Sequence, residues 1–165
     1  MDLQLAVGQV FSASGPLSRS GKGYVLRDGQ IRMALAVAGV MEHGGALVVE
    51  AGTGIGKTFA YLVPALLSRK RVLLSTATKA LQDQLFDRDI PLLAAALGIV
   101  TRVALLKGRS SYLCRQRMEL AYQDAHAWTP AALQQLARIV EWAKDTPSGD
   151  LADLAGFDEH PSILD

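Results

Sequence analysis

Residues 46–58 read ALVVEAGTGIGKT. The first four are apolar without interruption, the mark of a strand buried inside a parallel sheet. Three glycines then alternate through the next stretch, at Gly52, Gly54 and Gly56. Glycine lets the backbone turn tightly and aim successive N–H groups into one concavity. The residues after it, from about Gly56 to Ser68, read as a helix. The concavity therefore lies at a helix N-terminus, where the dipole and the unpaired N–H groups favour an anion. A Gly-rich turn that binds nothing is the plainer alternative, but Gly56-Lys57-Thr58 brings a cation and a hydroxyl that a mere turn does not need.

Working outward, the elements alternate. Residues 12–23 are rich in Gly, Ser and Pro and read as a loop. A helix is expected from Asp28 to about His43, stopped by Gly44 and Gly45. Strands are expected over 46–50, 71–75 and 101–106. Helices are expected over 56–68 and 78–86, with Pro91 opening another. Two more are expected at about 111–125 and 131–144, the second opened by Thr129 and Pro130. Strand and helix in alternation imply right-handed crossovers and a parallel sheet with helices on both faces, an α/β fold. Residues 146–165 read as an acidic, loosely ordered tail.

The chain has 165 residues, half of them hydrophobic, enough for a sizeable core. No apolar run approaches the ~20 residues a membrane span needs. No basic region precedes the apolar residues at the N-terminus, so a signal peptide is not expected. A single cysteine, Cys114, excludes an internal disulfide framework and makes a cytoplasmic location the default. The net charge of +1 hides a gradient: residues 1–117 carry +8 and residues 118–165 carry −7. The first part suits an anionic partner, although scattered surface charge explains the same numbers.

Residues 51–58, AGTGIGKT, fit the P-loop pattern with Ala51 in the place of the first glycine. In that pattern the backbone of Gly52, Thr53, Gly54, Ile55 and Gly56 cradles phosphates. Lys57 meets the β- and γ-phosphates, and the Thr58 hydroxyl ligates Mg²⁺. ATP and Mg²⁺ are the cofactors this implies, and Lys57 and Thr58 the candidate catalytic residues. Three flanking segments narrow the class. Arg27 and Gln30 stand three apart at the start of the helix before the loop, and a glutamine amide carries the donor and acceptor that an adenine edge requires. An exposed polar helix start is the bland alternative. Thr76, Thr78 and Lys79 open the helix after the second expected strand, suited to a nucleic-acid backbone or to simple N-capping. Lys107, Arg109, Arg115 and Arg117 surround Tyr112, and cations interleaved with a ring suit single-stranded nucleic acid. Local core and a solvated basic face are the alternatives there.

Taken together, VVEAGTGIGKTFAYLVPAL, STATKALQDQL and LLKGRSSYLC resemble the iron–sulfur DNA helicases of superfamily 2, the XPD-like group, in its bacterial DinG/YoaA branch. The resemblance covers about residues 24–118. It implies part of a RecA-like motor domain, incomplete here, with residues 1–23 as a poorly determined N-terminal segment. Residues 119–165 would begin the iron–sulfur insertion region and its tail. It implies ATP-driven 5′→3′ travel on single-stranded DNA. Arg27 and Gln30 would flank the adenine, and Thr76, Thr78, Lys79, Lys107 and Arg109 would touch DNA. Cys114 would be the first of four thiolates holding a [4Fe–4S] cluster in the intact parent.

Several parts of that machinery have no match. Hydrolysis needs an acid for Mg²⁺ and another to position water, and no D-E-A-H box follows an apolar run. Asp158-Glu159-His160 resembles it in composition alone. One thiolate cannot hold a four-ligand cluster, so in this chain Cys114 reads as a free thiol. The expectation is an N-terminal fragment that binds Mg-ATP without unwinding. The rival readings are a non-catalytic nucleotide or single-strand-binding module and, less consistent with the flanks, a small kinase. His43, His126 and His160 lack metal-ligand spacing. Trp128 and Trp142 suit helix packing.

Overall fold

The computed structural model describes residues 2–20, 24–124, 128–154 and 156. It divides into two compact units, Met1–Leu105 and Leu106–Asp165.

In the first unit, α1 (Leu3–Val10) starts at Asp2, whose carboxylate accepts from the Leu5 N–H at 2.9 Å. It buries Leu3, Val7 and Val10. A short α2 (Pro16–Arg19) lies inside the stretch expected to be loop, opened by Pro16 in the first turn. The expected helix before the glycine-rich loop is α3 (Asp28–His43), ended by Gly44 at φ +82°. After the loop comes α4 (Lys57–Leu67), which buries Ala60, Leu62, Val63 and Pro64. Residues expected to be one helix over 78–86 form α5 (Lys79–Asp83) and run on into a π-helical turn, Gln84–Asp89. Then α6 (Ile90–Leu97) ends at Gly98, whose left-handed φ of +64° lets the Ile99 N–H close on the Ala94 carbonyl at 3.0 Å. One core joins these helices: Val7, Phe11, Leu17, Ala34, Ala38, Ala60, Val63 and Leu93 are all within it.

The expected parallel sheet does not form. Among the described residues there is no strand, and the isolated bridge is antiparallel, between Tyr112 and Asp150. Residues 46–50, 71–75 and 101–106 carry neither helix nor strand. Val48, Leu73 and Leu106 are 96%, 93% and 81% exposed. The physical reason lies in where each element finds its hydrogen bonds. A helix closes its N–H groups on carbonyls four residues away, within its own segment. A strand closes them on another strand, and an apolar run specifies neither that partner nor its register. The composition of these runs was therefore sufficient to suggest burial and insufficient to produce it.

In the second unit, α7 (Arg115–Gln123) and α8 (Pro130–Asp145) take the places of the two expected helices. Thr129 caps α8, its hydroxyl accepting from the Ala132 N–H at 3.3 Å. Leu136, Ile139, Ala143, Leu151 and Leu154 are buried here. Residues 146–154 return toward the start of the unit: the Leu113 N–H donates to the Gly149 carbonyl at 2.8 Å. Asp158-Glu159-His160 and His126 lie outside the described residues.

Candidate functional site

The glycine-rich loop is built by its backbone. Gly54 and Gly56 take φ of +79° and +81°, the left-handed region that side chains disfavour. Lys57 then begins α4, so the loop opens at that helix's N-terminus. The Lys57 ammonium folds back and donates to the carbonyls of Ala51 at 2.8 Å and Gly52 at 2.7 Å. A positive charge is thereby held at the mouth of the loop, beside the N-terminal end of the α4 dipole. Gly52, Thr53 and Gly54 are exposed, and Ile55 and Thr58 are half-buried. A loop of this shape, with a tethered cation and solvent-facing backbone, can receive a phosphate chain.

Thr58 follows, with Tyr61 one turn on along α4. Burial pushes the Tyr61 phenol above its ordinary range; the neighbouring Thr58 side chain opposes this, and the charge of Asp89 adds to it. Thr58 offers one hard oxygen, and Mg²⁺ characteristically completes its shell with phosphate oxygens and water, so the residues present fit that ion. They do not fit an iron–sulfur cluster. Cys114 is the chain's single cysteine and is exposed, and among the described residues no group of three or more His, Cys, Asp or Glu could hold a metal.

Gln30 sits differently from what its sequence position suggests. It is 1% exposed. Its Nε2 donates to the Gly56 carbonyl at 2.9 Å, and its Oε1 accepts from the Tyr24 hydroxyl at 2.9 Å. The first turn of α3 is thus joined to the last residue of the loop. Arg27, at the N-cap of α3, is exposed. Its charge acts on Tyr24, whose phenol is raised chiefly by burial and drawn partly back by Arg27.

The residues expected to meet DNA fall into both units. Thr78 caps α5, accepting from the Leu81 N–H at 3.3 Å, and the Thr76 hydroxyl donates to the Thr78 carbonyl at 3.2 Å. Both hydroxyls hold local backbone, and Lys79 is the first residue of α5. Lys107 is buried. Its ammonium pairs with Asp150 at 2.8 Å with 6% and 12% of the two side chains exposed, and its N–H donates to the Tyr112 hydroxyl at 2.9 Å. Its charge is engaged inside the unit, whereas Arg109 is exposed. A hollow of about 330 Å³ lined by Glu141, Trp142, Asp145, Thr146, Pro147 and Asp153 contains none of the expected site residues.

Three residues at the site were not singled out by sequence: Tyr24, Tyr61 and Asp89. Tyr61 had a signal, since residues three apart on a helix share a face and Thr58 was already marked. Tyr24 and Asp89 had none, because their partners are set by tertiary packing.

Comparison with known proteins bears on the same residues. A family model described as DEAD/DEAH box helicase matches residues 32–154. The chain is 40% identical to the ATP-dependent DNA helicase YoaA of Haemophilus influenzae over 164 residues, 99% of this chain and 26% of that protein. It is 46% identical to the Escherichia coli protein of the same name over 145 residues, 86% of this chain and 22% of that one. It is 42% identical to the ATP-dependent helicase DinG of Mycobacterium tuberculosis over 153 residues, 80% of this chain and 23% of that one. The chain therefore spans about a quarter of the length of the relatives it matches.

Proposed function

Because the chain belongs to the DEAD/DEAH box helicase family, we propose that it supplies the ATP-binding part of an ATP-dependent DNA helicase. The carrying observation is the loop itself: Gly54 and Gly56 left-handed, Lys57 tethered at the mouth, and α4 starting behind it. Residues 52–57 would hold the phosphates and Thr58 the Mg²⁺ that neutralises them. Arg27 and Gln30 would flank the base. Thr76, Thr78, Lys79 and Arg109 would face DNA, while the Lys107 ammonium, also expected there, is held by Asp150. The whole protein would travel 5′→3′ on single-stranded DNA, in repair or replication, in the cytoplasm. A [4Fe–4S] cluster would belong to the longer parent, with Cys114 one of its thiolates.

The 165 residues alone are expected to bind Mg-ATP and not to separate strands. No D-E-A-H box follows an apolar run in this sequence, and hydrolysis needs an acid to position water. That supports the second reading, a nucleotide- or DNA-binding module without catalysis, for the isolated chain. Lys57→Ala tests the function. A fluorescent ATP analogue should lose at least about tenfold in affinity, because a charge-assisted contact is worth roughly 1.5–3 kcal/mol, while affinity for single-stranded DNA stays unchanged. Equal ATP affinity in the variant would remove the P-loop assignment.

A further inference from the structure

Gln30 faces two claims at once. A glutamine amide that reads a base must present a free donor and acceptor edge. Here Nε2 is bonded to Gly56 and Oε1 to Tyr24, and the residue is 1% exposed. No base can reach that amide unless one partner lets go. The contact with Gly56 is also close: a Cβ built on Gly56 would overlap Gln30 Nε2. The amide therefore presses against the one residue whose left-handed φ aims the loop into α4.

The Gly56 carbonyl only accepts, so it takes the amino end of the amide, and Tyr24 holds the other end in place. Carbonyl and amino ends are alike in shape, and only hydrogen bonding distinguishes them. With Nε2 committed to the Gly56 carbonyl, Oε1 is left as an acceptor, and the Tyr24 hydroxyl donates to it and pins the amide from its far end. Tyr24 is itself held by packing. Its ring lies 6.5 Å from that of Phe11, a residue 1% exposed just after α1. Ile55 of the loop comes near the same helix start, its Cδ1 being 4.0 Å from where a Gly29 Cβ would sit.

We propose that Tyr24 is a positioning residue for the phosphate loop: its hydroxyl anchors the Gln30 amide, which holds the Gly56 carbonyl and keeps the loop shaped for phosphate. The effect is independent of the base, because the groups involved act on the loop backbone. This rests on the nucleotide-binding function proposed above and goes beyond it by assigning a role to Tyr24 and a second partner to Gln30.

The test uses the 165-residue chain and its Tyr24→Phe variant, with ATP, GTP and inorganic tripolyphosphate as probes. Loss of one neutral hydrogen bond should weaken all three by about three- to tenfold, leaving the ratio of ATP to GTP affinity as in the parent chain. Amide hydrogen exchange at residues 54–57 should quicken, while that of α8 stays as it was. Unchanged affinities and unchanged exchange overturn the proposal. So does a loss confined to ATP, which would make the pair a base reader. If the parent chain binds none of the probes, it is the nucleotide function that fails, and exchange in the loop still decides the role of Tyr24. Should Tyr24→Phe lower the melting temperature, Phe11→Leu provides the control. It loosens the same packing without touching the hydroxyl and should leave phosphate affinity unchanged at temperatures where both are folded.

Discussion

Gly56 bears two constraints that reinforce each other. Its φ of +81° disfavours any side chain, and the Gln30 amide fills the space where a Cβ would go. Gly56→Ala should therefore cost about 1.5–3.5 kcal/mol, from left-handed strain of roughly 1–2 kcal/mol and a displaced hydrogen bond of roughly 0.5–1.5 kcal/mol. It should abolish nucleotide binding at the same time, which calorimetry and a binding titration would check together. Gly52 meets nothing within 4 Å, so Gly52→Ala should leave stability nearly unchanged. The two tyrosines around the loop carry a pH dependence of definite sign. Burial is the main cause that lifts both phenols above the ordinary value of 10.0. The folded chain then holds their protons more tightly than the unfolded chain does. The stability they contribute is complete below pH 10 and is lost as pH rises through the folded values. Replacing both by phenylalanine should flatten the fall in melting temperature above pH 10.

Helices were legible in the sequence wherever their bonding is local. The expected 28–43 helix is found at Asp28–His43, and Thr129 and Pro130 open α8 as their chemistry demands. The three apolar runs misled because burial and strand pairing are separate properties, and a period of one cannot name a partner. The π-helical turn after α5 was also hidden, since a single extra residue leaves no compositional trace. That turn places Asp89, 3% exposed, against Gln84, whose Nε2 donates to its Oδ2 at 2.7 Å, and Arg88, whose Nε meets Oδ1 at 3.2 Å. Asp89→Ala should destabilise the first unit by about 1–3 kcal/mol by leaving the Gln84 amide without its acceptor. At the site, the loop glycines, Lys57 and Thr58 were legible because a phosphate cradle has few chemical solutions. The engagement of Gln30 with Gly56 was not, because it spans 26 positions and depends on how α3 packs on α4.

At the scale of the whole molecule, two properties set behaviour in solution. Val48, Leu73 and Val100 stand exposed outside any helix or strand, and segments with exposed apolar side chains and no sheet partner promote association. Val48→Thr with Leu73→Thr should reduce light scattering at a given concentration while shifting stability by no more than about 0.5 kcal/mol each. The second property is charge. Residues 1–117 carry +8, and if DNA is held through phosphates, its affinity should fall linearly on a double-logarithmic plot against salt. A flat plot would mean that this charge is ordinary surface. Breaking the buried Lys107–Asp150 pair by Lys107→Met should cost about 3–5 kcal/mol, which a denaturant titration of the second unit would register.

How such a titration is followed matters, because of where the indole rings lie. Trp128 and Trp142, the chain's two tryptophans, both belong to Leu106–Asp165, and no indole belongs to Met1–Leu105. Emission excited at the red edge of protein absorbance therefore sees the second unit alone and is blind to the loop that holds the nucleotide. The helical signal in the far ultraviolet draws on both. A ligand that seats in the phosphate loop should move the circular-dichroism transition, whereas a change at Lys107 or Asp150 should move the emission transition. The chain thus comes with two optical channels, and any single one of them would misreport which part had unfolded.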